Sequence, residues 1–288
     1  MENLRGILFM ILAMAGFAFE DLFIKTLSAH LPVSEIIIIL GFTGSIIFLI
    51  IALLQRAPII HKDLLNRHVI TRTVFELFGA LFFVIAIALT PLSSASAILQ
   101  ITPLLVTIGA AVFFRENVGW RRWTAVLIGF IGVLLILRPG FGGFMPASIF
   151  ALLGAMFLAG RDLATRAMEV NLPSVTIALY AFLAFGISGI FIMPFNSAMI
   201  ALTSTDIMYF IGASVFGVIA YYSLVIASRI GEMSVISPFR YSRIVFAMLL
   251  SILVLKENPD SLTLIGATII VVSGLYTFLR ENVLKQNN

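Results

Sequence analysis

The sequence predicts an all-α integral membrane protein of ten transmembrane helices arranged as two inverted five-helix repeats. Three observations carry this reading: a composition too apolar for a water-soluble chain, hydrophobic stretches of span length in succession, and an internal repeat at an offset of 141 residues. Of 288 residues, 61% are hydrophobic and 11% charged, against about 25% charged in ordinary soluble domains, and the mean hydropathy is +1.12. The net charge of +4 comes from dispersed lysines and arginines without a basic cluster, so membrane lipids rather than nucleic acid are the expected anionic neighbour. There are no cysteines, and His30, His61 and His68 all fall between helices, which leaves neither disulfide and thiol chemistry nor a metal cluster to expect. No cofactor is implied.

Shifted by 141, Asp21 falls on Asp162, Lys25 on Arg166, Pro32 on Pro173, Val74-Phe75 on Val215-Phe216, and Arg115-Glu116-Asn117 on Lys256-Glu257-Asn258. One further residue brings Gly132–Arg138 onto Gly274–Arg280. Internal duplication in so apolar a chain is a recurring build of secondary transporters, whose sites form where the copies meet. The copies are expected at 5–139 and 146–281.

The apolar stretches lie near 5–27, 34–54, 72–90, 94–114, 122–138, 147–166, 173–194, 206–228, 232–255 and 262–280, separated by charges, Gly/Pro turns and polar clusters. The first could pass for a cleavable signal; its partner in the second copy lies mid-chain, which argues for a retained helix. None shows the period-2 alternation of a barrel strand. With the N-terminus in the cytoplasm, Arg5, Arg56, Lys62, Arg67, Arg72, Arg115, Arg121, Arg122, Arg166, Arg229, Arg280 and Lys285 lie inside, and Lys25, Arg138 and Lys256 outside. That excess follows the positive-inside rule and puts both termini in the cytoplasm. An odd number of helices per copy forces the second into the membrane the opposite way, which suits alternating access.

Several segments resemble the drug/metabolite transporter superfamily, in its EamA branch of ten-helix bacterial permeases. They are Thr90-Pro-Leu-Ser-Ser-Ala-Ser-Ala97, Arg115-Glu116 with Trp123–Val133, Leu137-Arg-Pro-Gly140, Ser237-Pro-Phe-Arg-Tyr-Ser-Arg243, and Lys256-Glu-Asn-Pro-Asp260 with Gly266 and Gly274. The resemblance covers essentially the whole chain. It implies an inner-membrane location, a central cavity shared by the halves, and cargoes that range over amino acids, nucleosides, vitamins, S-adenosylmethionine and sugar phosphates.

Charges in a bilayer core cost about 2.5–3.5 kcal/mol each on insertion scales, so they face a cavity or a partner. Arg240 and Arg243 stand one turn apart in the ninth helix and are the first candidates for holding a carboxylate or phosphate. Pro238, just before them, should loosen the helix. Neither arginine has a basic counterpart, because Arg240 aligns with Leu99 and Arg243 with Thr102. The bland alternative is a structural network with Glu20, Glu76 or Asp162. Glu76, aligned with Gly217, has Arg72 one turn earlier and so either forms a local ion pair or, left unpaired, carries a coupling proton. Asp21/Lys25 and Asp162/Arg166 have favourable helical ion-pair spacing and read as gating or structural pairs. Glu20 and Arg161 occupy equivalent positions with opposite charge, which leaves room for a cross-repeat pair. Gln100, Tyr222 and Tyr241 are candidate cavity residues, although such side chains more often bond neighbouring helices. Gly129, Gly132, Gly266 and Gly274 suit close helix packing or a homodimer contact.

The expected function is a secondary transporter moving a small zwitterionic or anionic metabolite across the cytoplasmic membrane. No nucleotide-binding Gly-x-x-x-x-Gly-Lys-Ser/Thr loop is present. The rival, an intramembrane enzyme acting on a lipid or peptide, lacks Gly-x-Ser-x-Gly, His-Glu-x-x-His and any histidine within a helix. A sensor or scaffold is disfavoured because the spans leave no soluble output domain in the sequence.

Overall fold

The computed structural model describes residues 2–115, 119–138, 145–168, 172–195, 198–230 and 236–286. The first-copy residues Glu116 and Asn117 lie outside them. The described residues are helical with short connections and contain no strand. The helices are α1 (Glu2–Leu27), α2 (Val33–Leu54), α3 (Arg67–Leu89), α4 (Leu92–Leu99), α5 (Thr102–Phe113), α6 (Trp120–Leu137), α7 (Ser148–Arg166), α8 (Ser174–Ile192), α9 (Ser204–Ile230), α10 (Ser242–Leu253) and α11 (Ser261–Gln286). Seven spans, one of them α4 with α5 as Leu92–Phe113, are long and apolar enough to cross a membrane; two shorter apolar helices, Trp123–Leu137 and Ser261–Tyr276, accompany them.

The fourth expected helix, 94–114, is broken rather than continuous. Pro103 lacks an N–H and its ring crowds the carbonyl four residues earlier, that of Leu99. The Thr102 hydroxyl donates to that carbonyl at 2.6 Å, which replaces the N–H that Pro103 cannot offer. The aligned helix is irregular at the same place, where a 3₁₀ turn over Ser237–Tyr241 leads into α10. Gln100 and Tyr241, equivalent under the shift, therefore both sit at interruptions.

Packing follows the repeat. α1 runs along α9 and α3 along α7, while α2 pairs with its own counterpart α8 and α6 with its counterpart α11. The self-paired contacts use glycine. A β-carbon on Gly41 would meet the Gly186 Cα at 2.3 Å, and one on Gly132 would meet the Gly266 carbonyl at 2.8 Å. Backbones that approach this closely have no room for a larger side chain. The turns after α5 and α10 also match: Arg115 and its counterpart Lys256 both adopt left-handed backbone, at φ 54° and 57°.

At one end of the bundle, Asp260 caps α11 by accepting from the Thr263 N–H at 2.8 Å and pairs with Arg138 at the end of α6. The hydrogen bond from Arg138, with that from Thr263, holds the Asp260 carboxyl at about 2, below the usual carboxylate range. A carboxyl depressed in the folded state stabilises it above its unfolded pKa and loses that contribution as pH falls toward the folded value. The melting-temperature gap between the native chain and Asp260→Asn should thus stay constant from neutral pH to about 5 and narrow below about 4.

Candidate functional site

A cavity of ≈ 190 Å³ opens between α1, α3, α7 and α9, with the two interrupted helices at its side. Both halves line it from matched positions. Phe17 and Glu20 of α1 have Leu158 and Arg161 of α7 as counterparts; Ala80 and Phe83 of α3 have Tyr221 and Leu224 of α9. Leu99 and Thr102 at the first helix break correspond to Arg240 and Arg243 at the second. Much of the wall is thus one set of backbone positions used twice, and three of these pairs differ in charge.

Those charges form two groups. In the first, Arg243 grips Asp21 with both carboxylate oxygens engaged: Nη2 donates to Oδ1 at 3.0 Å and to Oδ2 at 2.8 Å, and Nε to Oδ2 at 3.2 Å. Its guanidinium is flanked by the rings of Phe17 and Phe83, 4.9 and 5.2 Å from their centres. Fork geometry together with two aromatic faces makes this a strongly held pair. The second group is a chain. Tyr221 accepts from Arg72 at 2.9 Å, Arg72 donates to Glu76 at 2.6 Å, and Arg161 bridges Glu76 at 3.3 Å to Asp162 at 2.7 Å. Arg240 ends the chain with one 3.3 Å bond to Asp162. Of the arginines lining the cavity it is the least committed, with most of its five donors unspent among the described residues.

The expected local pairs rearrange. Lys25 does not pair with Asp21: it turns to the end of α3, where Nζ donates to the carbonyls of Ile87 at 2.9 Å and Thr90 at 2.7 Å. A lysine satisfies helix-terminal carbonyls that have no intrahelical donor. Beside it, Glu257 accepts from the N–H groups of Leu92 and Ser93 at 2.7 and 3.1 Å and so caps α4. In the second copy Asp162 engages Arg161 and Arg240, while the Arg166 guanidinium lies 5.3 Å over the Phe114 ring. Glu20 and Arg161 do not meet; Arg161 is taken by Glu76 and Asp162. Glu76 keeps its local partner Arg72 and gains Arg161.

Of the uncharged candidates, Gln100 lines the cavity and donates to the Arg240 carbonyl at 3.3 Å. Tyr222 faces away from it, 37% exposed, and its hydroxyl accepts from Gln55. Tyr241 is buried against Gly274 of α11, and its hydroxyl has no hydrogen-bond partner among the described residues. The tyrosine that does line the cavity is Tyr221, which the sequence reading passed over. Adjacent helical residues point about 100° apart, and the usable signal was the stripe Gly217, Tyr221, Leu224, which the shift lays on Glu76, Ala80 and Phe83.

A charge-lined cavity between two matched sets of membrane helices is the arrangement of a solute carrier. The chain belongs to the EamA-like transporter family, whose pattern matches residues 4–138 and again 145–279. It is similar to an S-adenosylmethionine uptake transporter of Rickettsia bellii, 23% identical over 276 residues that cover 96% of this chain and 94% of that protein. A pseudopaline exporter of Pseudomonas aeruginosa is 27% identical over 272 residues, 93% of this chain and 94% of that one. A riboflavin transporter of Vibrio cholerae is 30% identical over 190 residues, 64% and 61% of the two chains. A solved crystal structure matches with a TM-score of 0.67 at 18% identity, over 98% of both chains, a likeness of fold. This chain is a membrane transporter of small metabolites and not an enzyme.

Proposed function

We propose that the protein is a secondary carrier of a small zwitterionic or anionic metabolite, working by alternating access in the bacterial inner membrane with both termini in the cytoplasm. The observation that carries this reading is the cavity lined from matched positions of two copies, with Arg240 on its wall holding spare guanidinium donors. A guanidinium in a cavity of low dielectric takes a carboxylate or phosphate bidentately. In this reading the copies, 5–139 and 146–281, are inverted five-helix repeats. Rocking of α1 against α9 at one time and of α3 against α7 at another opens the cavity to alternate sides. The clasp of Lys25 and Glu257 on the facing ends of α3 and α4 closes one end. Relatives named for uptake and for export align over nearly the same length, in keeping with a carrier that runs whichever way its gradients set.

Cysteine labelling tests the topology, since the native chain has no cysteine. Arg115→Cys and Lys256→Cys, aligned and both exposed, should react with an impermeant maleimide from opposite faces of sealed vesicles. Reaction of both from one face would refute the inverted arrangement.

A further inference from the structure

The cavity contains one carboxylate that its own walls do not satisfy. Asp21 is held by Arg243, Glu76 by Arg72 and Arg161, and Asp162 by Arg161 and Arg240. Glu20 lines the same space, and among the described residues no hydrogen bond or ion pair reaches its oxygens. Its carboxylate lies against Gly217 of α9, where a β-carbon would meet Oε1 at 2.6 Å and push the carboxylate from this position. Arg243, on the same wall, is already committed to both oxygens of Asp21 and enclosed by Phe17 and Phe83. At the counterpart position stands Arg161, which is paired with Glu76 and Asp162.

A carboxylate in a poorly solvated cavity is relieved either by a proton or by a cation. Among the described residues no side chain supplies the cation, and we infer that the cargo does: Glu20 is the subsite for a cationic group, an ammonium or other onium centre. Arg240 offers spare donors to an anion across the same small space, so the cargo carries both charges at once, as an α-amino acid or a metabolite with an amino-acid-like head does. This inference rests on reading the cavity as the cargo site, and narrows the zwitterionic-or-anionic class to its zwitterionic half.

The probes are three matched sets with common side chains: α-amino acids, the 2-hydroxy acids in which hydroxyl replaces ammonium, and the amines that lack the carboxylate. Binding to the purified full-length protein is measured directly. The best-bound amino acid should lose about tenfold or more in affinity when hydroxyl replaces its ammonium, the scale of an unpaired buried charge. Glu20→Gln, nearly isosteric, should abolish that preference by weakening the amino acid while leaving the hydroxy acid unchanged. Glu20→Asp should retain part of it. Equal binding of amino and hydroxy acid by the native chain, a preference that persists in Glu20→Gln, or no binding by any set would overturn the subsite. The anion reading is scored separately, by whether amines bind as well as amino acids and whether Arg240→Ala spares the carboxylate-bearing sets.

Discussion

Arg243→Ala is expected to destabilise the protein by about 3–5 kcal/mol, because it leaves Asp21 charged, buried and without its partner. Asp21 is 3% exposed and both its oxygens bond the guanidinium. The substitution also removes a cation from between two aromatic rings, so lost packing adds to lost charge. The double variant Asp21→Asn/Arg243→Leu removes both charges and should recover most of the melting temperature, since a buried ion pair contributes little net stability over an apolar replacement. Arg243 entered as a candidate for gripping cargo; its bonds to Asp21 tie α10 to α1, and the expected result is that it holds these helices. A native melting temperature in Arg243→Ala accompanied by a large drop in cargo affinity would reverse that assignment.

Arg240→Ala should behave in the opposite way. Asp162 keeps two bonds from Arg161, at 3.0 and 2.7 Å, when Arg240 is gone, so the fold loses little. Cargo should lose on the order of 2–5 kcal/mol of binding, the scale for truncating one member of a buried charged pair. Arg240→Lys keeps the charge but not the planar two-donor fork, and should bind measurably worse than the native chain. The comparison to make is affinity against melting temperature across both variants. Unchanged affinity with a large fall in melting temperature would place Arg240 in the scaffold.

The gross architecture was legible because the bilayer leaves so few options. Apolar stretches between prolines and charges located the helices, and the alignment of Asp21 with Asp162 and Lys256-Glu257 with Arg115-Glu116 exposed the duplication. Partners were legible only in part: Arg72 and Glu76 pair as their spacing suggests and Arg240 meets Asp162, but the other pairs did not follow. Spacing of four residues describes an isolated helix, whereas Asp21 pairs with an arginine 222 residues away and Lys25 with the end of α3. Such choices depend on which helix ends and faces the fold brings together. The interruption at Gln100 and Ile101 was within reach, since Pro103 stands in the sequence and its clash with the Leu99 carbonyl is local. Tyr221 was nearly so: the shift that paired Arg240 with Leu99 also pairs Tyr221 with Ala80, but only the fold, with α9 packed along α1, puts this face on the cavity.

The ionisable side chains on the cavity wall are Glu20, Asp21 and Glu76 against Arg161, Arg240 and Arg243, and just behind them Asp162 balances Arg72. Their formal charges cancel. In the rocking cycle proposed above, with all eight groups ionised, an empty cavity that swings from one face of the bilayer to the other carries no net charge through the field. Each uncompensated charge would meet about 2.3 kcal/mol for every 100 mV of membrane potential, enough to stall the return of an energised cell's carrier in one orientation. With its balance kept inside the protein, the empty carrier resets silently. Any current measured during turnover then reports the cargo and its companion ions, and a zwitterion moving alone should generate none.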